Sequence, residues 1–92
     1  MKVVINRCYG GFDLSERALD MYAKMKGLDS APYPLSIKRT DPALVEVVEK
    51  LCQEANTVFS NLKVVDVPDD VNWAILEFDG MEIVVDADRV WF

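Results

Sequence analysis

The sequence contains no histidine and only two cysteines, Cys8 and Cys52. Histidine is the commonest general base, so its absence excludes a Ser-His-Asp or Cys-His catalytic device. Histidine is also the commonest transition-metal ligand, and the two thiols alone do not make a zinc site. Two cysteines are also too few for a disulfide framework, which favours a cytosolic protein with free thiols. We therefore predict no catalytic residues, no metal, no cofactor and no enzymatic activity.

Long apolar runs are also absent. No stretch approaches the roughly 20 residues that a membrane span needs, and the first residues, MKVVINRC, lack the apolar core and cleavage site of a signal peptide. A chain of 92 residues that is 51% hydrophobic can bury one core without a disulfide or a metal. We predict a single domain over residues 1–92, with no membrane partner.

Basic residues are scarce in the last third of the chain. Residues 66–92 hold one arginine and eight acidic residues, a net charge of −7, whereas residues 1–65 hold nine basic and eight acidic residues, a net charge of +1. Phosphate affinity comes from Lys and Arg, so this segment argues against direct nucleic-acid binding. The complementary partner is a protein with a basic groove. The alternative is that the acidic residues only keep a small sheet in solution.

Two helices are predicted from their capping residues and apolar periodicity. The first covers about Ser15–Lys26, with Ser15 preferred over Asp13 as its N-cap. The second begins at Asp41 and Pro42, a strong start signal. Its predicted apolar face comprises Leu44, Val45, Val47, Val48, Leu51, Cys52 and Ala55. On this stripe the second cysteine is predicted to be an inert core residue.

Four strands complete the prediction. They are KVVINR (2–7), LKVVDVP (62–68) and a hairpin over 72–86, while LSIK (35–38) either adds an edge strand or runs extended over the surface. Asp79-Gly80 favours a type I′ turn, and the register that this turn sets places Glu77 opposite Glu82. It also creates one wholly apolar face: Ala74, Leu76, Phe78, Met81, Ile83 and Val85. The predicted fold is α+β, in the order β-α-α-β-β-β, with two helices packed on one face of a mainly antiparallel four-stranded sheet.

The first candidate site is the Gly-rich turn between the first strand and the first helix. Backbone N–H groups and a helix N-terminus at such a turn can bind an anion, which would make the chain a small-ligand protein for a nucleotide or signalling molecule. The predicted ligand-binding residues are Asn6, Arg7, Tyr9, Gly10, Gly11, Arg39 and Thr40. The alternative is that the two glycines only supply positive φ for a tight turn.

The second candidate site is the mixed acidic and apolar face of the hairpin, which is expected to point outward. Like charges directly opposite each other destabilise a strand pair, so a face that keeps them suits docking onto a basic protein groove. The predicted partner-binding residues are Trp73, Ile75, Glu77, Glu82, Val84 and Asp86. The alternative is a solvated outer face. The apolar end, Trp91-Phe92, either folds back onto the core or packs against a second copy in a homodimer, which would make the chain a self-associating structural or assembly protein.

Three segments, KVVINRCYGGFDLSE, RTDPALVEVVEKL and LKVVDVPDDVNW with EFDG, together resemble a family of small, uncharacterised bacteriophage and prophage proteins. The resemblance covers most of the chain. The family tends to end in a basic, His-containing stretch, whereas VVDADRVWF is acidic and lacks histidine. The resemblance supplies no catalytic residues. It implies a phage protein in the cytoplasm of the infected bacterial host, where small accessory proteins often bind host or anti-phage defence proteins.

Overall fold

The computed structural model describes residues 1–92. Its elements are β1 (Lys2–Asn6), α1 (Glu16–Lys26), α2 (Pro42–Leu51), β2 (Leu62–Asp66), β3 (Ala74–Phe78), β4 (Met81–Val85) and β5 (Val90–Trp91). Short 3-10 turns cover Pro34–Ser36 and Cys52–Ala55. The predicted α+β class is therefore confirmed. LSIK forms neither a strand nor an extended surface segment, because Leu35 and Ser36 lie in the first 3-10 turn and Ile37 is buried.

The strands form two antiparallel sheets instead of the predicted single four-stranded sheet. β1 pairs with β2, and a second sheet has the order β3-β4-β5. The predicted order lacked β5, a two-residue strand too short to show an alternating pattern. A two-stranded ribbon buries both of its faces when helices cover one face and a second sheet covers the other. The single-sheet prediction does not include this arrangement.

The β1–β2 ribbon separates two apolar clusters. Val4 faces the helices and belongs to a cluster with Ala18, Tyr22, Leu44 and other helical residues. Its neighbours Val3 and Ile5 point the other way and pack with Val65, Val67 and Val84 beneath the second sheet. Side chains alternate across a strand, so the run VVI serves both clusters. The molecule thus has three layers: helices, the β1–β2 ribbon and the β3-β4-β5 sheet.

Both predicted helix starts are confirmed. Ser15 is the N-cap of α1, and its hydroxyl accepts the N–H of Ala18 at 3.1 Å. Asp41 is the N-cap of α2, and its carboxylate accepts the N–H of Ala43 at 2.9 Å. These caps satisfy N–H groups that the first helical turn leaves without a partner.

The predicted core position of Cys52 is wrong, because its side chain is exposed. α2 ends at Leu51, and the backbone at Cys52 turns to φ 52° and ψ −121°. This positive-φ conformation takes Cys52 off the helical stripe before the next turn begins.

A hydrogen bond joins the two helices. The hydroxyl of Tyr22 on α1 donates to Asp41 at 2.7 Å, and Lys26 lies 3.4 Å from the same carboxylate. Burial, followed by the contact with Asp41, raises the pKa of Tyr22 to about 12. Burial alone would raise the pKa of Asp41, but the bonds from Tyr22, Ala43 and Lys26 outweigh it and lower that pKa. No helix has the length and apolar character needed to cross a membrane.

Candidate functional site

Glu82 lies at the centre of a buried polar cluster between β1 and β4. Its carboxylate accepts two bonds from the guanidinium of Arg39, at 2.6 and 2.9 Å, and a third from the N–H of Asn6 at 2.8 Å. The same guanidinium lies 3.6 Å from the ring centroid of Phe12 and donates to the carbonyl of Val4 at 3.3 Å. A buried charge is tolerated when it is paired and its lone pairs are occupied, and both conditions are met here.

Asn6 connects the end of β1 to two loops. Its amide donates to the carbonyls of Cys8 at 2.7 Å and Gly80 at 2.8 Å, and its side-chain oxygen accepts the N–H of Asn61 at 2.8 Å. The side chain is fully buried. Asn6 is therefore a structural connector with no donor or acceptor directed at solvent.

Arg7 is also engaged inside the molecule. Its guanidinium donates to the carbonyl of Glu82 at 2.8 Å and lies 5.1 Å from the ring centroid of Phe92. The carbonyl of Phe92 accepts a bond from Lys63 at 2.8 Å. The C-terminal end therefore folds back only in part as expected, because Trp91 packs against the second apolar cluster while Phe92 stays 61% exposed.

The Gly-rich turn is a packing junction. A Cβ atom on Gly10 would overlap Phe59, and one on Gly80 of the hairpin turn would lie 2.6 Å from both the carbonyl oxygen of Tyr9 and the nitrogen of Gly11. Gly11 has φ +124°, a conformation that favours glycine. Gly10 is therefore needed for the close approach of Phe59, and Gly11 is needed for its positive φ, which accounts for both glycines without a ligand.

The seven predicted ligand-binding residues do not form one site. Three of them, Asn6, Arg7 and Arg39, contact Glu82. Another three, Tyr9, Gly10 and Gly11, lie at the packing junction. Thr40 lines a separate cleft. The cleft beside the two glycines has Asp13 as its one charged residue. An anion there would meet a carboxylate, and Arg39, which contacts the Phe12 ring of this cleft, already binds Glu82.

The hairpin has the predicted register but the opposite orientation. Glu77 lies opposite Glu82, and Phe78 lies opposite Met81. The predicted outward face is wrong for Glu82 and Val84, which are 4% and 0% exposed. On the same inner face, Trp73 and Ile75 pack against the second apolar cluster and Asp86 is half-buried, so Glu77 is the one exposed member of the predicted partner-binding set.

The outer face of the hairpin is consequently apolar. We call it the apolar sheet face and define it as Ala74, Leu76, Phe78, Met81, Ile83 and Val85 with Val90 of β5. Leu76, Phe78 and Val90 are 44%, 58% and 52% exposed, and the remaining members are exposed or half-buried. No charged side chain occurs among these seven residues, and a continuous apolar area of this kind commonly marks an interaction site.

Acidic groups lie at both ends of the apolar sheet face. Asp79 occupies the β3–β4 turn, and Asp86 and Asp88 follow β4. Bonds from the N–H groups of Asp88 and Arg89 and the charge of Arg89 together lower the pKa of Asp86, against a smaller opposing effect of burial. Asp86 therefore stays ionised at neutral pH, but its half-buried carboxylate is paired with Arg89 at 3.4 Å, so the negative charge at the border comes from the exposed Asp79 and Asp88.

The inward position of Glu82 was the functional feature that sequence reasoning missed. One signal was present, because two glutamates directly opposite each other would repel unless one of them had a cation nearby. The sequence did not indicate that Arg39, 43 residues earlier, would supply that cation. This long-range pair holds Glu82 on the inward face of the hairpin.

No group of three or more Cys, Asp or Glu side chains is arranged to hold a metal ion. No protein-family model matches the chain, and the searches of curated proteins and solved structures found no significant match.

Proposed function

We propose that this chain is a small, non-enzymatic, phage-encoded binding protein that docks onto a partner protein through the apolar sheet face and its acidic border. The partner class we propose is a host or anti-phage defence protein with a basic groove, inside the infected bacterium. The phage origin and the partner's role rest on the resemblance of the three sequence segments, and the docking surface rests on the geometry.

The observation that carries the proposal is the exposure of an uncharged face in a chain that is 28% charged. Burying apolar surface contributes roughly 25 cal/mol per Å², so Leu76 and Phe78 would each add to binding when a partner covers them. An enzyme or anion-binding site receives less support, because Arg7, Arg39 and Asn6 make their bonds within the fold.

The charge distribution favours a basic partner. Of the eight acidic residues in segment 66–92, which contains the apolar sheet face, four are exposed and make no ion pair: Asp70, Glu77, Asp79 and Asp88. Opposite charges around an apolar centre accelerate encounter and exclude wrongly charged partners, and their contribution falls as salt screens it.

The test is capture of partners from host lysate by the parent and by two double variants. Leu76→Ser with Phe78→Ser disrupts the apolar sheet face, and the matched control, Leu35→Ser with Val58→Ser, changes two apolar residues that are exposed elsewhere. We expect the first variant to lose a stoichiometric partner and the control to retain it. Capture by the parent should be weaker at 0.5 M than at 0.05 M salt, because the Debye length differs severalfold between these concentrations. Equal capture by the two variants would contradict the proposal.

A further inference from the structure

We propose that the partner binds by strand addition: an extended segment with alternating apolar and basic residues pairs with the free edge of β3. This inference rests on the proposed function and specifies its mode of docking. β3 is at the edge of the β3-β4-β5 order, and no strand pairs with its second edge. Unpaired N–H and C=O groups on such an edge are a template for another strand.

The hairpin register identifies the free backbone groups. In a two-residue hairpin the residues that flank the turn, Phe78 and Met81, bond to each other, and bonded and non-bonded pairs then alternate. Glu77 and Glu82 form a non-bonded pair, so their backbone groups point away from each other. The carbonyl of Glu82 does point away from β3, since it accepts the bond from Arg7. By the same alternation, the N–H and C=O of Ile75 and Glu77 point outward from the free edge.

The side chains beside this edge define the chemistry of the added strand. Its outward residues would extend the apolar sheet face next to Leu76 and Phe78, which favours Val, Ile or an aromatic residue there. Its alternate residues would lie beside Glu77, the only charged residue of β3. Glu77 is exposed and makes no ion pair in the chain, unlike Glu82. A lysine or arginine next to Glu77 would supply the missing opposite charge.

A second copy of the chain is the less suitable occupant. It would add a further net charge of −6 and bring no cation from its own β3 to Glu77. A basic partner strand meets the charge and the hydrogen-bonding requirement together.

The experiment uses the full chain with two synthetic probes, the peptides Ac-KVKVKVK-amide and Ac-EVEVEVE-amide. We expect the lysine peptide to bind and to slow hydrogen exchange at the Ile75 and Glu77 amides, while the glutamate peptide does neither. Glu77→Lys should reverse the preference, with the lysine peptide weakened about tenfold, because a favourable cross-strand pair becomes a repulsive one. Glu77 is exposed, so this variant should unfold at the same urea concentration as the parent.

Three outcomes would overturn strand addition. The first is that the lysine peptide does not bind at millimolar concentration. The second is that it binds but does not protect the Ile75 and Glu77 amides from exchange. The third is that these amides are protected without peptide and light scattering shows the chain to be dimeric. The broader function is tested separately by the Leu76→Ser with Phe78→Ser variant. If that variant loses its natural partner while the Glu77→Lys variant keeps it, the apolar sheet face stands and strand addition fails.

Discussion

At the scale of single residues, two glutamates that face each other across one hairpin have opposite environments. Glu82 is buried against Arg39, and Glu77 is exposed without an ion pair. Removing one partner of a buried pair leaves the other charge uncompensated, which costs about 3 kcal/mol. We therefore expect Glu82→Gln to lower the free energy of unfolding by about this amount and Glu77→Gln to change it by less than about 0.5 kcal/mol. Urea unfolding of both variants measures the contrast, and equal values would refute the buried pair.

Cys52 adopts a backbone conformation that glycine tolerates better than any other residue. Its φ of 52° with ψ of −121° follows directly after α2. A non-glycine residue in such a region costs about 1 kcal/mol or more. Cys52→Gly should accordingly raise the urea midpoint, whereas Gln53→Gly, at the next residue with its negative φ, should lower it. A lower midpoint for Cys52→Gly would show that this residue carries no strain.

Local rules predicted the residues whose roles depend on their sequence neighbours. Ser15 and Asp41 cap their helices, and Asp79-Gly80 makes the predicted turn with φ values of 53° and 93°. Glu82 was beyond such rules, because its burial depends on Arg39 and on the N–H of Asn6, at sequence separations of 43 and 76 residues. Sequence patterns therefore supplied the hairpin register but not the partner that orients the hairpin.

At the scale of elements, the Gly-rich turn and the hairpin turn are held together by close backbone contact. Gly27 and Gly80 both have positive φ, but a Cβ on Gly27 meets nothing within 4 Å, and one on Gly80 meets Tyr9 and Gly11. Gly27→Ala should cost about 1 kcal/mol from backbone strain alone. Gly80→Ala should cost about 3 kcal/mol, because the turns must also separate. Thermal or urea unfolding compares the two, and equal losses would show that the contact contributes nothing.

The contact between α1 and α2 should make stability depend on pH in two windows. The pKa of Asp41 is lowered on folding, so its contribution is complete above the unfolded value of about 3.9 and is lost as pH falls through the folded value. The pKa of Tyr22 is raised to about 12, so the protein should lose stability as pH rises from 10 towards 12. Tyr22→Phe should weaken both dependences in urea unfolding across pH. An unchanged alkaline loss in this variant would contradict the assignment to Tyr22.

At the scale of the whole molecule, the layer arrangement explains why sequence patterns gave the correct hairpin and the wrong inner face. An apolar face is expected to be buried, and Leu76, Phe78 and Ile83 satisfy that pattern. The second sheet must also cover Val3 and Ile5 on β1, however, and Val84 with its neighbours is the surface that does so. The need to place Glu82 against Arg39 favours the same orientation. The exposed apolar face is then available for a partner.

This orientation gives a direct test with one serine substitution on each face. Val84 is fully buried, and replacing it with serine removes apolar contacts and buries a hydroxyl, so Val84→Ser should cost about 3 kcal/mol. Leu76 is 44% exposed, and Leu76→Ser should change the free energy of unfolding by no more than about 1 kcal/mol. Leu76→Ser should also reduce binding of an apolar dye such as ANS, which reports exposed apolar surface. Had the hairpin the opposite orientation, the two stability effects would exchange, so urea unfolding of this pair decides which face the partner meets.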